Sequence, residues 1–138
     1  METPVHAVVS AVLAAILYPI YGANVLFILV GGVLIDIDHY LWYVIKFKKY
    51  GLKECYTYCA TGTIKDNWKY VTGCLFIFHN LEFLILSIVL SFYFPWAFMF
   101  TIGLLSHYVL DLIWHINGIK KPTHSLSFVS WLTKAGKQ

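Results

Sequence analysis

Four apolar stretches, at about residues 5–21, 24–45, 70–94 and 96–116, take up most of this 138-residue chain. Each approaches the length a helix needs to cross hydrocarbon, the first being the shortest. With 59% hydrophobic and 12% charged residues, a soluble domain of this size could not hide its apolar surface. The expected fold is therefore all-α: one integral membrane domain over residues 1–138, built as a polytopic four-helix transmembrane bundle. A basic loop at 46–69 and an amphipathic C-terminal tail at 117–138 complete it.

The first stretch lacks the basic leader of a secretory signal, since the only charge ahead of it is Glu2, and further apolar segments follow. Pro19, Gly22 and Asn24 mark a tight turn between the first two helices, and Pro95 marks another between the last two. Both turns are uncharged. The 46–69 loop instead carries six lysines against Glu54 and Asp66, and the tail adds Lys120, Lys121, Lys134 and Lys137. The positive-inside rule places loop, tail and both termini in the cytoplasm, at the plasma membrane or, in a prokaryote, the inner membrane. All ten basic residues are lysines. Without arginine no bidentate fork exists for bases or phosphates, so membrane lipids rather than nucleic acid are the expected partners. Cys55 and Cys59 form one closely spaced pair and Cys74 stands apart, which reads as reduced thiols rather than a disulfide framework. In the tail, "THSLSFVSWLTKAGK" has an apolar stripe suited to lying on a head-group layer or to covering the mouth of the bundle.

Against this background the buried polar groups stand out. His6, Asp36, Asp38, His39, His79, Glu82, His107 and Asp111 all fall toward the cytoplasmic ends of their helices. Helical spacing puts Asp36 with His39, His79 with Glu82, and His107 with Asp111 on shared faces. Asp38 points elsewhere unless the helix unwinds near Gly31 and Gly32. It would then act either as a ligand or by orienting a ligand histidine from behind. A carboxylate deep in hydrocarbon costs roughly 2.5–3.5 kcal/mol, and no arginine or buried lysine is available to pair with it. Protonation, histidinium partners or metal ions remain. Four carboxylates would be balanced by two divalent cations, and a mixed imidazole and carboxylate set favours zinc, manganese or iron over calcium. The expected cofactor is one or two divalent ions, zinc first. All eight residues are candidate ligands. Glu82 and Asp38 are candidate catalytic groups, Glu82 as a general base taking a proton from water. His115 and His124 read as surface residues.

His6, the "G..IDIDH" run from Gly32 to His39, His79, and "GLLSHYVLD" from Gly103 to Asp111 resemble the membrane-bound metal-dependent hydrolases typified by the LexA-regulated inner-membrane hydrolase-like family. The similarity spans about residues 5–115. That family commonly has proline ahead of its "DIDH" and arginine after the third-segment histidine; this chain has Ile35 and Asn80. The resemblance implies a helical membrane protein with a metal centre and a hydrolase label. The expected function is metal-dependent hydrolysis of an ester or phosphoester in a lipid-like substrate at the cytoplasmic leaflet. The alternative is a metal-binding structural or ion-translocating membrane protein without hydrolysis.

Overall fold

The computed structural model describes residues 3–59, 74–118, 124–125 and 127–135. Helix α1 (Thr3–Tyr21) ends where Gly22 adopts φ +55°, a left-handed conformation that lets the chain reverse through a 3-10 turn, Gly22–Val25. Helix α2 (Leu26–Gly32) then runs back along α1. Ala14, Val25, Ile28 and Met99 form the buried apolar cluster that joins this hairpin to the later helix Pro95–Gly118, with Leu13, Leu17, Tyr21 and Ile102 packed around it.

The second predicted helix, 24–45, is not continuous. At Val33 the backbone turns to φ −130°, ψ −50°, a 3-10 turn covers Leu34–Asp36, and α3 (Ile37–Phe47) resumes. Lys48 closes α3 at φ 56°, and the 46–69 loop contains a short helix, α4 (Leu52–Thr57). Lys65, Trp68, Lys69 and Tyr70 of that loop lie outside the described residues, as do Lys120, Lys121 and Lys137.

The third predicted helix, 70–94, is corrected more sharply. Of its described residues only Leu81–Ser91 are α-helical (α5); before them come β1 (Cys74–Leu75) and a 3-10 turn, Ile77–His79. The cause is Asn80, whose extended backbone and side-chain oxygen, accepting from Phe83 N at 2.7 Å, make it the N-cap of α5. At 11 residues α5 is about 16 Å long, half a hydrocarbon thickness. Helix α6 (Pro95–Gly118) folds back along α5, tied by Thr101 Oγ1 donating to Ser87 O at 2.9 Å. The tail enters as β2 (His124–Ser125), pairing in parallel with β1, and continues as the expected amphipathic helix α7 (Phe128–Ala135). Apart from that two-residue pairing and short connections the described chain is helical. Among the described residues two stretches are long and apolar enough to cross a membrane, Thr3–Phe47, which reverses at Gly22, and Pro95–Trp114.

Helix α2 lies against α6 at backbone distance. A Cβ on Gly31 would strike the Phe100 carbonyl, one on Gly103 the Ile28 carbonyl, and one on Gly32 the hydroxyl of Ser10 on α1. Small residues here let three helices approach closely enough to bring polar side chains of α1 and α6 up to the segment that follows α2. Gly31→Val should therefore destabilise the fold by about 2 kcal/mol or more, because the obstacle is backbone that cannot yield. Gly22→Ala should cost only about 1 kcal/mol, since nothing lies within 4 Å and the strain is conformational. Thermal unfolding of both variants in detergent checks the order.

Candidate metal centre

The break in the second apolar segment creates the first part of the site. With Asp36 N bonded to Val33 O at 3.3 Å, the Gly32 carbonyl is left to accept from His107 Nδ1 at 2.9 Å. A carbonyl can only accept, so Nδ1 carries the proton and Nε2 presents its lone pair. His107 reaches this point from the middle of α6, fully buried.

His79 arrives from the 3-10 turn before α5. Its Nδ1 donates to Asp38 Oδ2 at 3.0 Å, which likewise leaves Nε2 as the lone-pair nitrogen. Tyr108 holds this turn in place, its hydroxyl meeting the carbonyls of Phe78 at 2.7 Å and Asn80 at 3.1 Å, on either side of His79. The two Nε2 atoms face each other 3.1 Å apart. Two neutral imidazoles in these tautomers would oppose lone pair to lone pair. Something positive must lie between or beside them, either a proton or a cation.

The surrounding donors suit a cation. Asp36 Oδ1 lies 3.5 Å from His79 Nε2 and 3.4 Å from His107 Nε2. Asp111 Oδ2 lies 3.3 Å from His107 Nε2 and 3.9 Å from His79 Nε2. A tetrahedral ion with bonds of about 2.0–2.2 Å separates its ligand atoms by about 3.3–3.6 Å; the Asp36, His79 and His107 atoms, 3.1–3.5 Å apart, come close to that spacing, and Asp111 forms a neighbouring group with His107 and His6. His6 adds a further nitrogen: its ring stacks on His107 at 3.8 Å, and its Nε2 is 3.5 Å from Asp111 Oδ1. The His6, His79 and His107 side chains are at most 3% exposed, whereas Asp36 and Asp111 are 28% and 23% exposed. The centre is therefore sealed on its imidazole side and open on its carboxylate side.

Asp38 does different work. Besides His79 it accepts from Phe78 N at 3.1 Å and from His39 Nδ1 at 2.9 Å, so three N–H groups meet its charge. It lies behind His79, on the Nδ1 side, and orients that ring. His39 stacks on Phe76 at 4.1 Å and lies 3.7 Å from Asp36 Oδ1, at the rim of the cluster. Together His6, Asp36, Asp38, His39, His79, His107 and Asp111 make three overlapping groups that could hold a metal ion.

Glu82 is the sequence candidate that the structure does not bring to the centre. The cap at Asn80 separates it from His79, and its carboxylate accepts from Ser127 Oγ at 2.7 Å, Phe128 N at 3.0 Å and Val129 N at 3.3 Å. It anchors the tail helix. Removing Glu82 and Asp38 from the charge to be balanced leaves Asp36 and Asp111, two negative charges that one divalent ion offsets. The side chains of His115 and His124 lie outside the described ones.

Three contributors escaped sequence reasoning: the Gly32 carbonyl, Tyr108 and the Asn80 cap. Only the last had a readable signal, an Asn directly before an apolar run with an acid in its first turn. Away from the centre, in the loop, burial and then the neighbouring Cys55 push the Cys59 thiol up to about 12. No family model, curated protein or solved structure matches the chain.

Two predictions follow from this geometry. Asp38→Asn should weaken divalent-metal affinity by about 10–100-fold while His107→Ala should abolish tight binding, as measured by competition with a chromophoric chelator. Alkylation of Cys59 by iodoacetamide at pH 8 should be slow in the folded protein and fast in denaturant. Its rate should climb about tenfold per pH unit until the thiol titrates, because only the thiolate reacts.

Proposed function

We propose that this chain is an integral membrane metalloprotein. In this reading its centre binds one divalent ion, zinc first and manganese or iron next, and hydrolyses an ester or phosphoester of a lipid-like substrate. The topology proposed is the one expected from the lysines, with both termini and the mouth of the centre on the cytoplasmic side. The observation that carries the proposal is the pair of facing His79 and His107 Nε2 atoms, 3.1 Å apart, with Asp36 and Asp111 beside them. Such a group in an apolar setting is expensive unless a cation offsets it.

A divalent ion held there supplies Lewis acidity, polarising a carbonyl or phosphoryl oxygen and making water nucleophilic near neutral pH. The chain's own residues do the rest. Asp36 and Asp111, partly exposed, line the open side and are placed to orient a water molecule. The buried histidines fix the donor geometry, with Asp38, Gly32 and Tyr108 holding their rings and backbone. Glu82, occupied by the tail, is not the base in this scheme. Because α5 covers only about half the hydrocarbon, the centre is bordered on that side by residues 74–80 rather than by a full span. That favours sideways entry of a lipid. The resemblance to membrane hydrolases points to the same chemistry.

The close spacing of the Asp36, His79 and His107 donor atoms also favours a second reading, a structural ion that cross-links the helices without turnover. Detergent-purified protein should carry roughly one equivalent of zinc, manganese or iron by elemental analysis, and Asp36→Ala and His107→Ala should lose most of it. Folded parent protein without metal, prepared in metal-replete medium, would refute the centre. Incubation with mixed membrane lipids, followed by mass spectrometry, should reveal metal-dependent hydrolysis. Metal-loaded protein that leaves every lipid unchanged would establish the structural reading instead.

A further inference from the structure

Helix α7 faces the wrong way for a helix that packs on its own protein. Phe128, Val129 and Leu132 share one arc of the helix and are 44%, 60% and 49% exposed, while Ser130 and Trp131 are half-buried. The helix thus turns Ser130 and Trp131 toward the protein and leaves Phe128, Val129 and Leu132 facing outward. It is also firmly attached. Ser127 caps it, its Oγ accepting from Ser130 N at 3.2 Å, and Glu82 receives the Ser127 hydroxyl and the first two helical amides. Pairing of β2 with β1 ties the approach to α7 onto the segment that leads into His79. An anchored helix with an outward apolar arc needs an apolar neighbour.

We propose that α7 is a lipid-docking element. Its apolar arc lies among the acyl chains of the cytoplasmic leaflet, and the tail's lysines engage anionic head groups. The charge pattern identifies the occupant: from Leu112 to Gln138 the chain has four lysines and no acidic residue. Each lysine near an anionic surface adds attraction that fades within a Debye length. Glu82 gives the docked helix its fixed position, joining its N-terminus to that of α5. This rests on the membrane reading but not on hydrolysis.

The test uses full-length protein in nanodiscs of phosphatidylcholine, with or without phosphatidylglycerol, and hydrogen–deuterium exchange of residues 128–135. Exchange should be about tenfold slower in the anionic discs, and high salt or Lys134→Glu should remove that difference. Val129→Asp combined with Leu132→Asp should speed exchange in both disc types. Glu82→Gln should speed it first at Phe128 and Val129. Exchange indifferent to lipid composition and to the paired aspartates would overturn the proposal. Protection that rises with protein density, with cross-links between copies at Leu132, would overturn it in favour of a second chain. Alkaline carbonate extraction separates the two levels: protein released from membranes would refute the membrane reading itself, whereas retained protein with an unresponsive α7 refutes only the docking.

Discussion

Two imidazole nitrogens held 3.1 Å apart, each with its proton on the far side of the ring, are the contact on which the rest of this structure depends. Neither orientation is incidental. The Gly32 carbonyl fixes one ring and the Asp38 carboxylate fixes the other, and both come from the same interrupted apolar segment. The interruption at Val33 frees a carbonyl on one side and redirects a carboxylate on the other. A straight helix would have kept Gly32 O for its own ladder and pointed Asp38 away from His79.

Backbone proximity makes this possible. Gly31, Gly32 and Gly103 bring α1, α2 and α6 so close that His6, His107 and Asp111 can share one centre with the Gly32 carbonyl and the acids that follow it. On the remaining side a helix of full length would have carried His79 on a regular face. The chain instead approaches through an extended segment and a 3-10 turn, capped by Asn80 and pinned by Tyr108. Irregular backbone among apolar helices is tolerated where its polar groups are satisfied locally, and here they are satisfied by residues that also position the donors.

Much of the centre was legible in the sequence. Counting along helices that reverse at Gly22 and Pro95 puts His6, Asp36, Asp38, His39, His79, His107 and Asp111 at one level, and the structure gathers those residues. Glu82 stands apart from His79, at the tail helix, because an i, i+3 spacing implies a shared face only when both residues belong to one helix, and the Asn80 cap falls between them. The charge balance read from the sequence, four carboxylates against two ions, weighed all four acids alike. It treated every carboxylate as needing a cation, whereas Asp38 meets three N–H groups and Glu82 a helix N-terminus. The break at Val33 was foreseen only as an option, since Gly31 and Gly32 permit either distortion or close packing, and the chain uses both.

Gly32 belongs to two kinds of order at once. Its Cα lies in the seam between α1 and α6, and its carbonyl sets the tautomer of His107. Occupancy of the centre and tightness of the seam are then linked equilibria: whatever binds only the assembled form stabilises it by mass action, about 2.7 kcal/mol at a hundredfold excess over the dissociation constant. With an ion bound as proposed, a chain built this way would register its free concentration as mechanical cohesion between helices. Ion scarcity would be felt first as loosening of the bundle.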